Sequence, residues 1–548
     1  MTLSIGQYLL DKLHSIGVRH IYGLPGDYVL KFNKLIEEHP IKFINCTIEN
    51  SAGYMADAEA RLLGLGVACI TYGVGIGIAN SIAQAFVESS PVIIISGAAG
   101  TDEFSKCHYL HHLINKTQQD QADITQLEIF KQITGAQAVL NDPTTAENEI
   151  NRVIHYCLEN KKPVYIEIPR NFIHMPLDTC KKIEFVKKES ENSSLKEALD
   201  EVVSILQKSR QPVIWAGHEI LRHRLSSDLL KFAEEYNIPI ASSLLGKTAI
   251  SEHHPLFLGL YQGGMSRPEV QQFFEKCDCH IILGTVLSDV ETGIFSAKIK
   301  ENIIFANTLE GIRIHHHTYP NILFQDFIKD LKTIKLQKKF SNQFHSHSSR
   351  KLPFISRNAK ITVTRLFECL QYYLKKDNIV VTDIGDALFG SEDLILDENS
   401  FLASAYFETL GFGAPGAIAA QLAMPGKRVI GIVGDGGFQM TAMELATAVR
   451  YKLDPVIIVL NNHGYGTERP LLEGSYNDIQ DWNYTKIPEV VGGGVGIEVR
   501  TEMEFEKVLQ EALSTRGHFF LIEAELDKLD FSPTMKRFSA LVHKNAKK

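Results

Sequence analysis

The sequence lacks the features that mark secreted, membrane and nucleic-acid-binding proteins. Its eight cysteines are scattered through 548 residues without a Cys-x-x-Cys pair, which favours reduced thiols over a disulfide framework. No apolar run is long enough to span a bilayer, and the amphipathic N-terminus lacks the basic and apolar blocks of a signal peptide. The reduced thiols predict a cytoplasmic protein. Because the net charge is −9, we expect it to bind neither nucleic acid nor membranes.

What is present is the composition of a large globular protein, with 44% apolar and 22% charged residues. A chain of this length needs more than one core. Strand-like and helical patterns alternate throughout, which predicts an α/β fold of three domains, each a mostly parallel sheet with helices on both faces. Polar stretches separate the predicted domains at residues 1–186, 195–336 and 357–548. The first and third domains are predicted to be the same kind of α/β unit.

Two strand ends in the third domain carry the residues of a metal site. A strand-like run ends in Gly434-Asp435-Gly436-Gly437, and the next apolar run ends in Asn461-Asn462-His463-Gly464. Asp435 and Asn462 are 27 residues apart, which suits a βαβ unit that brings both strand ends to one edge of a parallel sheet. Their oxygens suit Mg²⁺ holding a diphosphate. A helix predicted from Met440 to Arg450 would favour the same anion at its N-terminus.

Several polar residues of the first domain have an ordinary structural interpretation when each is taken alone. Asp27 lies in a turn after the first strand, where Asp caps helices, and Glu49 precedes a helix whose dipole it would complement.

The glycine-rich turn at residues 71–79 is similar to a dinucleotide fingerprint. The next strand, however, ends in Ser96-Gly97 rather than in an acid, which disfavours NAD.

Together the motifs resemble the thiamine-diphosphate-dependent 2-keto acid decarboxylases, which include the pyruvate, indolepyruvate and phenylpyruvate decarboxylases. The resemblance extends over nearly the whole chain. The motifs that carry it include Gly23-Leu-Pro-Gly-Asp27, Leu110-His-His112, Gly259-Leu-Tyr-Gln-Gly263, Gly434-Asp-Gly436 and Gly464-Tyr-Gly-Thr-Glu468.

The resemblance implies two cofactors, thiamine diphosphate and Mg²⁺. It implies that Glu49 binds the aminopyrimidine ring and favours its imino form, and that Leu410 holds the cofactor in a bent shape. The implied metal ligands are the Asp435 and Asn462 side chains and the Gly464 carbonyl, and Asp386 lies beside the diphosphate. The cofactor-binding residues are thus Glu49, Asp386, Leu410, Gly434, Asp435, Gly436, Gly437, Asn462 and Gly464.

The resemblance also implies the reaction, which is conversion of a small-molecule 2-keto acid to an aldehyde and CO₂. The implied catalytic residues are Glu49 and the proton-delivering set Asp27, His111, His112 and Glu468. The implied active unit is a homodimer or homotetramer with shared active sites, in which Glu49 of one subunit faces Asp435 of another.

Substrate preference is predicted from one departure. Pyruvate-specific members carry Trp where this chain has Leu388, which predicts space for a bulky or aromatic 2-keto acid such as phenylpyruvate or indolepyruvate. If Phe538 or Leu541 of the C-terminal helix fills that space, the alternative is a pyruvate decarboxylase. A second departure, Glu408-Thr409, replaces a smaller pair before Leu410. Two other functions stay open: a carboligase or synthase that uses the same cofactor, and a cofactor-free scaffold of the same fold.

Overall fold

The computed structural model describes residues 3–104, 106, 109–114, 123–178, 188–341, 344 and 353–546. The first of its three sheets has six parallel strands in the order β2-β1-β3-β4-β6-β5. The strands are His20–Gly23 (β1), Lys42–Asn45 (β2), Gly66–Ile70 (β3), Val92–Ala98 (β4), Ala136–Val139 (β5) and Val164–Pro169 (β6). The helices are Ile5–Ser15 (α1), Leu30–Glu37 (α2), Glu49–Leu63 (α3), Ala79–Val87 (α4), Thr125–Lys131 (α5) and Ala146–Asn160 (α6), and a 3₁₀ turn spans Val74–Ile78.

The second sheet has seven strands in the order β13-β12-β11-β10-β7-β8-β9, and β12 runs antiparallel to both of its neighbours. The strands are Pro212–Ala216 (β7), Ile240–Ser242 (β8), Phe257–Leu260 (β9), Cys279–Leu283 (β10), Ile303–Asn307 (β11), Gly311–Ile314 (β12) and His317–Tyr319 (β13). The helices are Asn192–Lys208 (α7), His218–Arg222 (α8), Ser226–Tyr236 (α9), Pro268–Lys276 (α10) and Phe324–Leu331 (α11).

The third sheet has six parallel strands in the order β15-β14-β16-β17-β19-β18. The strands are Asn378–Thr382 (β14), Phe401–Ala403 (β15), Arg428–Gly434 (β16), Val456–Asn461 (β17), Val495–Val499 (β18) and Phe520–Glu525 (β19). The helices are Val363–Tyr373 (α12), Asp386–Ser391 (α13), Gly413–Ala423 (α14), Asp435–Thr441 (α15), Leu445–Arg450 (α16), Ile487–Val491 (α17), Glu502–Ser514 (α18) and Pro533–Ala546 (α19). The 3₁₀ turns are Ala442–Glu444, Ser475–Asn477 and Tyr484–Lys486.

The first and third sheets have the same topology. When the strands of each are numbered from one, both follow the order 2-1-3-4-6-5, which confirms that the two domains are the same kind of α/β unit. Helices pack on both faces of each of these two sheets, and one hydrophobic core contains residues of both, with α3 packed against α14. The predicted α/β class is confirmed, and the antiparallel strands are confined to one edge of the central sheet.

Two details differ from the sequence expectations. The stretch predicted as a helix from Met440 to Arg450 is helical, but the helix begins earlier, at Asp435 in α15, and the 3₁₀ turn Ala442–Glu444 separates α15 from α16. The strands β5, β9, β12, β13, β15 and β18 are not evident in the sequence, because each has at most five residues and gives only a short apolar pattern, and all of them lie at or next to sheet edges.

The remaining sequence expectations about thiols and membranes can be compared with the described residues. Six cysteines there are free and buried, and Cys107 and Cys180 lie outside the described part of the chain. Within the described ranges, no helix combines the length and the apolar character needed to cross a bilayer.

Candidate active site

A cavity of about 340 Å³ lies at the carboxyl edge of the third sheet. The segments that follow β14, β16 and β17 form its floor, and α19 and residues 289–294 of the second domain contribute to its walls. Ligands bind at this edge of open parallel sheets because the strands end there and the following loops diverge. The predicted residues that line it are Asp386, Leu410, Gly434, Asp435, Gly436, Gly437, Asn462, Gly464 and Glu468.

Asp435 joins two neighbouring strand ends. Its Oδ1 accepts a hydrogen bond from the Gly436 N–H at 2.8 Å, and its Oδ2 accepts one from the Gly464 N–H at 2.9 Å. Burial raises the pKa of Asp435 to about 6, although these N–H groups act in the opposite direction. A bound cation would favour the ionised carboxylate.

The Gly464 position requires glycine. Its φ is +147°, and a Cβ there would lie 2.0 Å from the Asn477 carbonyl oxygen. Glycine therefore lets the backbone at this position pass close to the backbone of Asn477. Asn462, two residues before it, is buried and lines the same cavity.

Asp386 stands on the other side of the cavity, at the first residue of α13. Its Oδ2 accepts a hydrogen bond from the Ser532 N–H at 2.7 Å. Its Oδ1 is buried and has no hydrogen-bond partner in the described part of the chain. Burial raises the pKa of Asp386 to about 6. A buried carboxyl oxygen without a partner is costly unless a ligand or cation satisfies it.

Leu410 is positioned by a carboxylate that sequence analysis missed. Asp383 is buried after β14, and its Oδ2 accepts a hydrogen bond from the Gly411 N–H at 2.9 Å. On the preceding side, the Thr409 hydroxyl lies 2.8 Å from the Tyr54 hydroxyl of α3. The loop that presents Leu410 is thus fixed on both sides.

The charge of the cavity provides a test of the predicted cofactors. Five carboxyl groups line it, and none of the described residues that line it is Lys, Arg or His. A diphosphate would be repelled from such a surface unless a cation neutralised it. The oxygen donors, the buried Asp386 Oδ1 without a partner and the glycine backbone of residues 434–437 fit a diphosphate held through a hard divalent cation. The five carboxyl groups belong to Asp289, Asp386, Glu408, Asp435 and Glu468.

A second group of predicted residues meets at the carboxyl edge of the first sheet. The His111 Nε2 lies 2.8 Å from Asp27 Oδ2, and the His112 Nε2 lies 4.0 Å from Asp27 Oδ1. The sequence separates Asp27 from the histidine pair by more than 80 residues, and the fold brings them together.

Tyr28 and Arg170 hold this cluster in place. The Tyr28 ring stacks on His111 with centroids 5.0 Å apart, and its hydroxyl donates to the His111 carbonyl at 2.8 Å. The Arg170 guanidinium lies over the Tyr28 ring and 3.4 Å from Asp27 Oδ2. Sequence analysis missed Arg170, although its place immediately after β6 puts it at the same sheet edge.

Glu49 begins α3 and lies beside the glycine-rich turn. A Cβ on Gly77 would lie 3.6 Å from Glu49 Oε2, so the absence of a side chain leaves space above the carboxylate. In the same turn, a Cβ on Gly73 would lie 2.0 Å from the His112 carbonyl oxygen. The turn therefore links Glu49 to the Asp27–histidine cluster.

The predicted site residues of one chain form two separate groups. Asp27, Glu49, His111 and His112 belong to the first domain, whereas the residues that line the cavity come from residues 289–538. Glu468 lies in the cavity group and not with Asp27 and the histidines. A single chain thus presents two parts of the predicted site in different places.

The expectation that Leu388 lines the substrate space is wrong. Leu388 is fully buried in the core that contains α12 and α13, and the residues that line the cavity are Ala387 and Phe389. Phe389 stacks on Phe538 with centroids 5.7 Å apart, and Phe538 also lines the cavity. Phe538 of the C-terminal helix therefore takes up part of this space, as the pyruvate alternative requires, and a cavity of about 340 Å³ stays open beside the two rings.

Comparisons with known proteins agree with the fold. Family models for thiamine pyrophosphate enzymes match in order: the N-terminal TPP-binding domain at residues 3–127, the central domain at 199–320 and the C-terminal TPP-binding domain at 383–524. The indole-3-pyruvate decarboxylase of Azospirillum brasilense is 31% identical over 98% of both chains. Pyruvate decarboxylase 4 of Arabidopsis thaliana is 29% identical over 93% of this chain and 86% of its own length. The chain therefore belongs to the family of thiamine-diphosphate-dependent 2-keto acid decarboxylases.

Proposed function

We propose that the protein decarboxylates a bulky or aromatic 2-keto acid, such as phenylpyruvate or indolepyruvate, to an aldehyde and CO₂. The observation that carries the choice of substrate is the stacked pair Phe389 and Phe538 on the cavity wall. An aromatic side chain would pack against these rings and bury apolar surface. The relative named indole-3-pyruvate decarboxylase supports an aromatic substrate, and those named pyruvate decarboxylases represent the alternative.

The proposed metal is Mg²⁺, with Asp435, the Asn462 side chain and the Gly464 carbonyl as its protein ligands. The support for this is an oxygen-only donor set and a cavity lined by carboxyl groups without a basic residue. The metal would offset repulsion between these groups and the diphosphate of the cofactor.

Thiamine diphosphate, when bound, supplies a carbon nucleophile and takes up the electrons that CO₂ leaves behind. The protein residues then have three tasks. We propose that Glu49 hydrogen-bonds the aminopyrimidine ring and that Leu410 orients the cofactor. Proton delivery to the product would fall to Asp27, His111, His112 and Glu468.

The proposed active unit is a homodimer or a homotetramer with shared active sites. Glu49 does not line the Asp435 cavity of its own chain, which supports a site that a second subunit completes. Exposed apolar side chains flank both parts: Ile48 and Val74 lie beside Glu49, and Met440 and Met443 follow the Asp435 turn. Exposed apolar groups around an incomplete site favour burial against a partner.

The substrate proposal is tested by measuring kcat/KM for pyruvate, phenylpyruvate and indolepyruvate with the enzyme saturated by thiamine diphosphate and Mg²⁺. Aldehyde and ligation products are separated by chromatography, so that a carboligase is recognised by its products. The kcat/KM for the aromatic acids is expected to exceed that for pyruvate by at least ~10-fold, because a side chain that fills an apolar pocket stabilises the transition state. A higher value for pyruvate would contradict the proposal.

A further inference from the structure

Glu408 is a cavity residue that the assigned functions do not use. It lies in the loop between β15 and α14, two residues before Leu410, and it lines the same cavity as Glu468 and Asp289. Its backbone φ is +56°, in the left-handed region that side chains other than Gly, Asn and Asp seldom adopt. Such an outlier persists only where the surrounding structure determines the backbone.

The loop around Glu408 is fixed by hydrogen bonds on both sides. The Glu88 Oε1 accepts the N–H groups of Tyr406 and Phe407, each at 2.9 Å. The other carboxylate oxygen of Glu88 lies 2.6 Å from the buried Arg61 guanidinium. On the far side, the Thr409 N–H donates to the Ser404 hydroxyl at 3.2 Å. The backbone therefore holds the Glu408 side chain towards the cavity.

The Glu408 carboxyl group accepts no hydrogen bond from the described part of the chain, unlike the Asp383, Asp386 and Asp435 carboxylates. Burial and, in decreasing order, the negative charges of Asp289, Glu88 and Glu468 together raise the pKa of Glu408 to about 7. Of these neighbours, Glu88 is buried and pairs with Arg61, which it shares with Asp57, whereas Asp289 and Glu468 are exposed. Near neutral pH a large fraction of Glu408 thus carries a proton that is not engaged elsewhere in the described residues.

We propose that Glu408 is a further proton donor of the decarboxylation, acting in the cavity beside Glu468. The inference rests on the function proposed above. After CO₂ leaves, the carbon that carried it must gain a proton. The O–H bond of the Glu408 carboxylic acid breaks, a C–H bond forms at that carbon, and Glu408 remains as a carboxylate. Water returns the proton once the aldehyde has left, so the step needs no other reactant.

Three variants separate this chemistry from a structural role. Glu408→Gln keeps the shape but holds no acidic proton, Glu408→Gly removes the acid and also relieves the left-handed backbone, and Glu408→Asp keeps a shorter acid. Glu398→Gln, an exposed position before β15, is the matched control. We expect kcat of the Gln and Gly variants to fall by ~100-fold, the usual contribution of a general acid, and the control to match wild type.

The pH profile gives the specific signature. Wild-type kcat should decrease above about pH 7 as Glu408 loses its proton, and the Gln and Gly variants should lack this decrease. Asp289→Asn removes a neighbouring negative charge, so it should lower the pKa of Glu408 and move the decrease to lower pH. Product analysis should also change, because a carbon that waits for a proton has time to react with a second aldehyde. The Gln and Gly variants should therefore release a larger share of ligation product.

A readout without turnover comes from thermal unfolding of the cofactor-free protein. Because the pKa of Glu408 is raised in the folded state, its contribution to stability is present below about pH 4.5 and is lost as the pH rises to about 7. The melting temperature of Glu408→Gln relative to wild type should therefore be higher at pH 8 than at pH 5.

The proposal is overturned if Glu408→Gln and Glu408→Gly keep kcat within two-fold of wild type and retain the decrease at high pH. It is also overturned if both variants lose binding of thiamine diphosphate and Mg²⁺ in calorimetry, because Glu408 would then act on the cofactor site. These measurements use whichever 2-keto acid the wild type turns over fastest. Failure of the aromatic preference therefore shows in the wild type alone and is distinguishable from failure of Glu408.

Discussion

The Asp435 carboxylate and the Gly464 N–H are joined by a hydrogen bond of 2.9 Å that connects the ends of β16 and β17. This bond places the carboxylate of one predicted metal ligand next to the backbone of another. Gly464 itself must lack a side chain, because a Cβ there would collide with the Asn477 carbonyl oxygen. Two proposed metal ligands are thus held side by side, and the Asp435 carboxylate supplies the negative charge.

Asp435→Asn should weaken binding of Mg²⁺ and thiamine diphosphate by at least ~10-fold, because it removes a negative oxygen ligand from the cation. Titration calorimetry with both ligands measures the effect. Asp377→Asn, an exposed carboxylate just before β14, should bind as the wild type does. Equal affinities of the two variants would show that Asp435 does not hold the metal.

Glu49→Gln should abolish decarboxylation while binding of the cofactor with Mg²⁺ changes by only a few-fold, because Glu49 is proposed to act on the aminopyrimidine ring and not on the metal or the diphosphate. Turnover and calorimetry on the same preparation measure the two properties. Near-normal turnover would show that Glu49 is not required to activate the cofactor.

The same variant tests the shared site. Equal amounts of inactive Glu49→Gln and Asp435→Ala subunits, exchanged by reversible dissociation, should regain up to about a quarter of wild-type activity. Half of the random dimers are mixed, and each mixed dimer has one intact site. Each variant taken through dissociation alone is the control. A monomer that is fully active in sedimentation would contradict the proposal.

Phe538→Ala should lower kcat/KM for phenylpyruvate and indolepyruvate by ~10–100-fold and change the value for pyruvate little, since only the larger acids reach the aromatic wall. Leu541→Ala, on the same helix but not lining the cavity, controls for loosening of α19. Equal losses for all three substrates would instead indicate a general disturbance of the site.

Leu388→Trp should destabilise the protein by roughly 1–3 kcal/mol, because Leu388 is buried in a packed core that has no space for an indole ring. Thermal unfolding measures the change, and the nearly isosteric Leu388→Met should cost less than about 1.5 kcal/mol. A stable Trp variant with increased preference for pyruvate would show that position 388 does line the substrate pocket.

Glu291 should make stability depend on pH. It is buried, accepts the N–H groups of Leu244 and Leu245 at 2.8 Å, and burial raises its pKa to about 7 from an ordinary value of 4.5. The folded state therefore retains a proton that the unfolded chain releases. The stabilisation is complete below pH 4.5 and is lost as the pH rises to about 7.

The Glu291→Gln variant isolates this effect. The free energy of unfolding of Glu291→Gln minus that of the wild type should rise by up to ~3 kcal/mol between pH 5 and pH 8. Chemical unfolding at both pH values measures the difference. The exposed Glu310→Gln is the control. Parallel pH dependence of Glu291→Gln and wild type would contradict the assignment.

The sequence by itself determined the fold class and the third-domain motif. Buried parallel strands give apolar runs that are visible locally, and Asp435 and Asn462 lie within one βαβ unit, so their spacing is sufficient to predict that they meet. Short strands at the sheet edges, such as β13 and β15 with three residues each, give too short an apolar pattern to predict.

Only the tertiary structure decided which distant residues surround the site. Asp383 and Arg170 act through contacts with residues many positions away, and Glu408 faces the cavity because Glu88 and Ser404 fix its loop. Leu388 and Phe389 are neighbours on a helix of six residues, which is too short for periodicity to tell which side faces the cavity. Packing against α12 and α19 determines which side of this helix faces the cavity, because the direction of a side chain on so short an element depends on its surroundings.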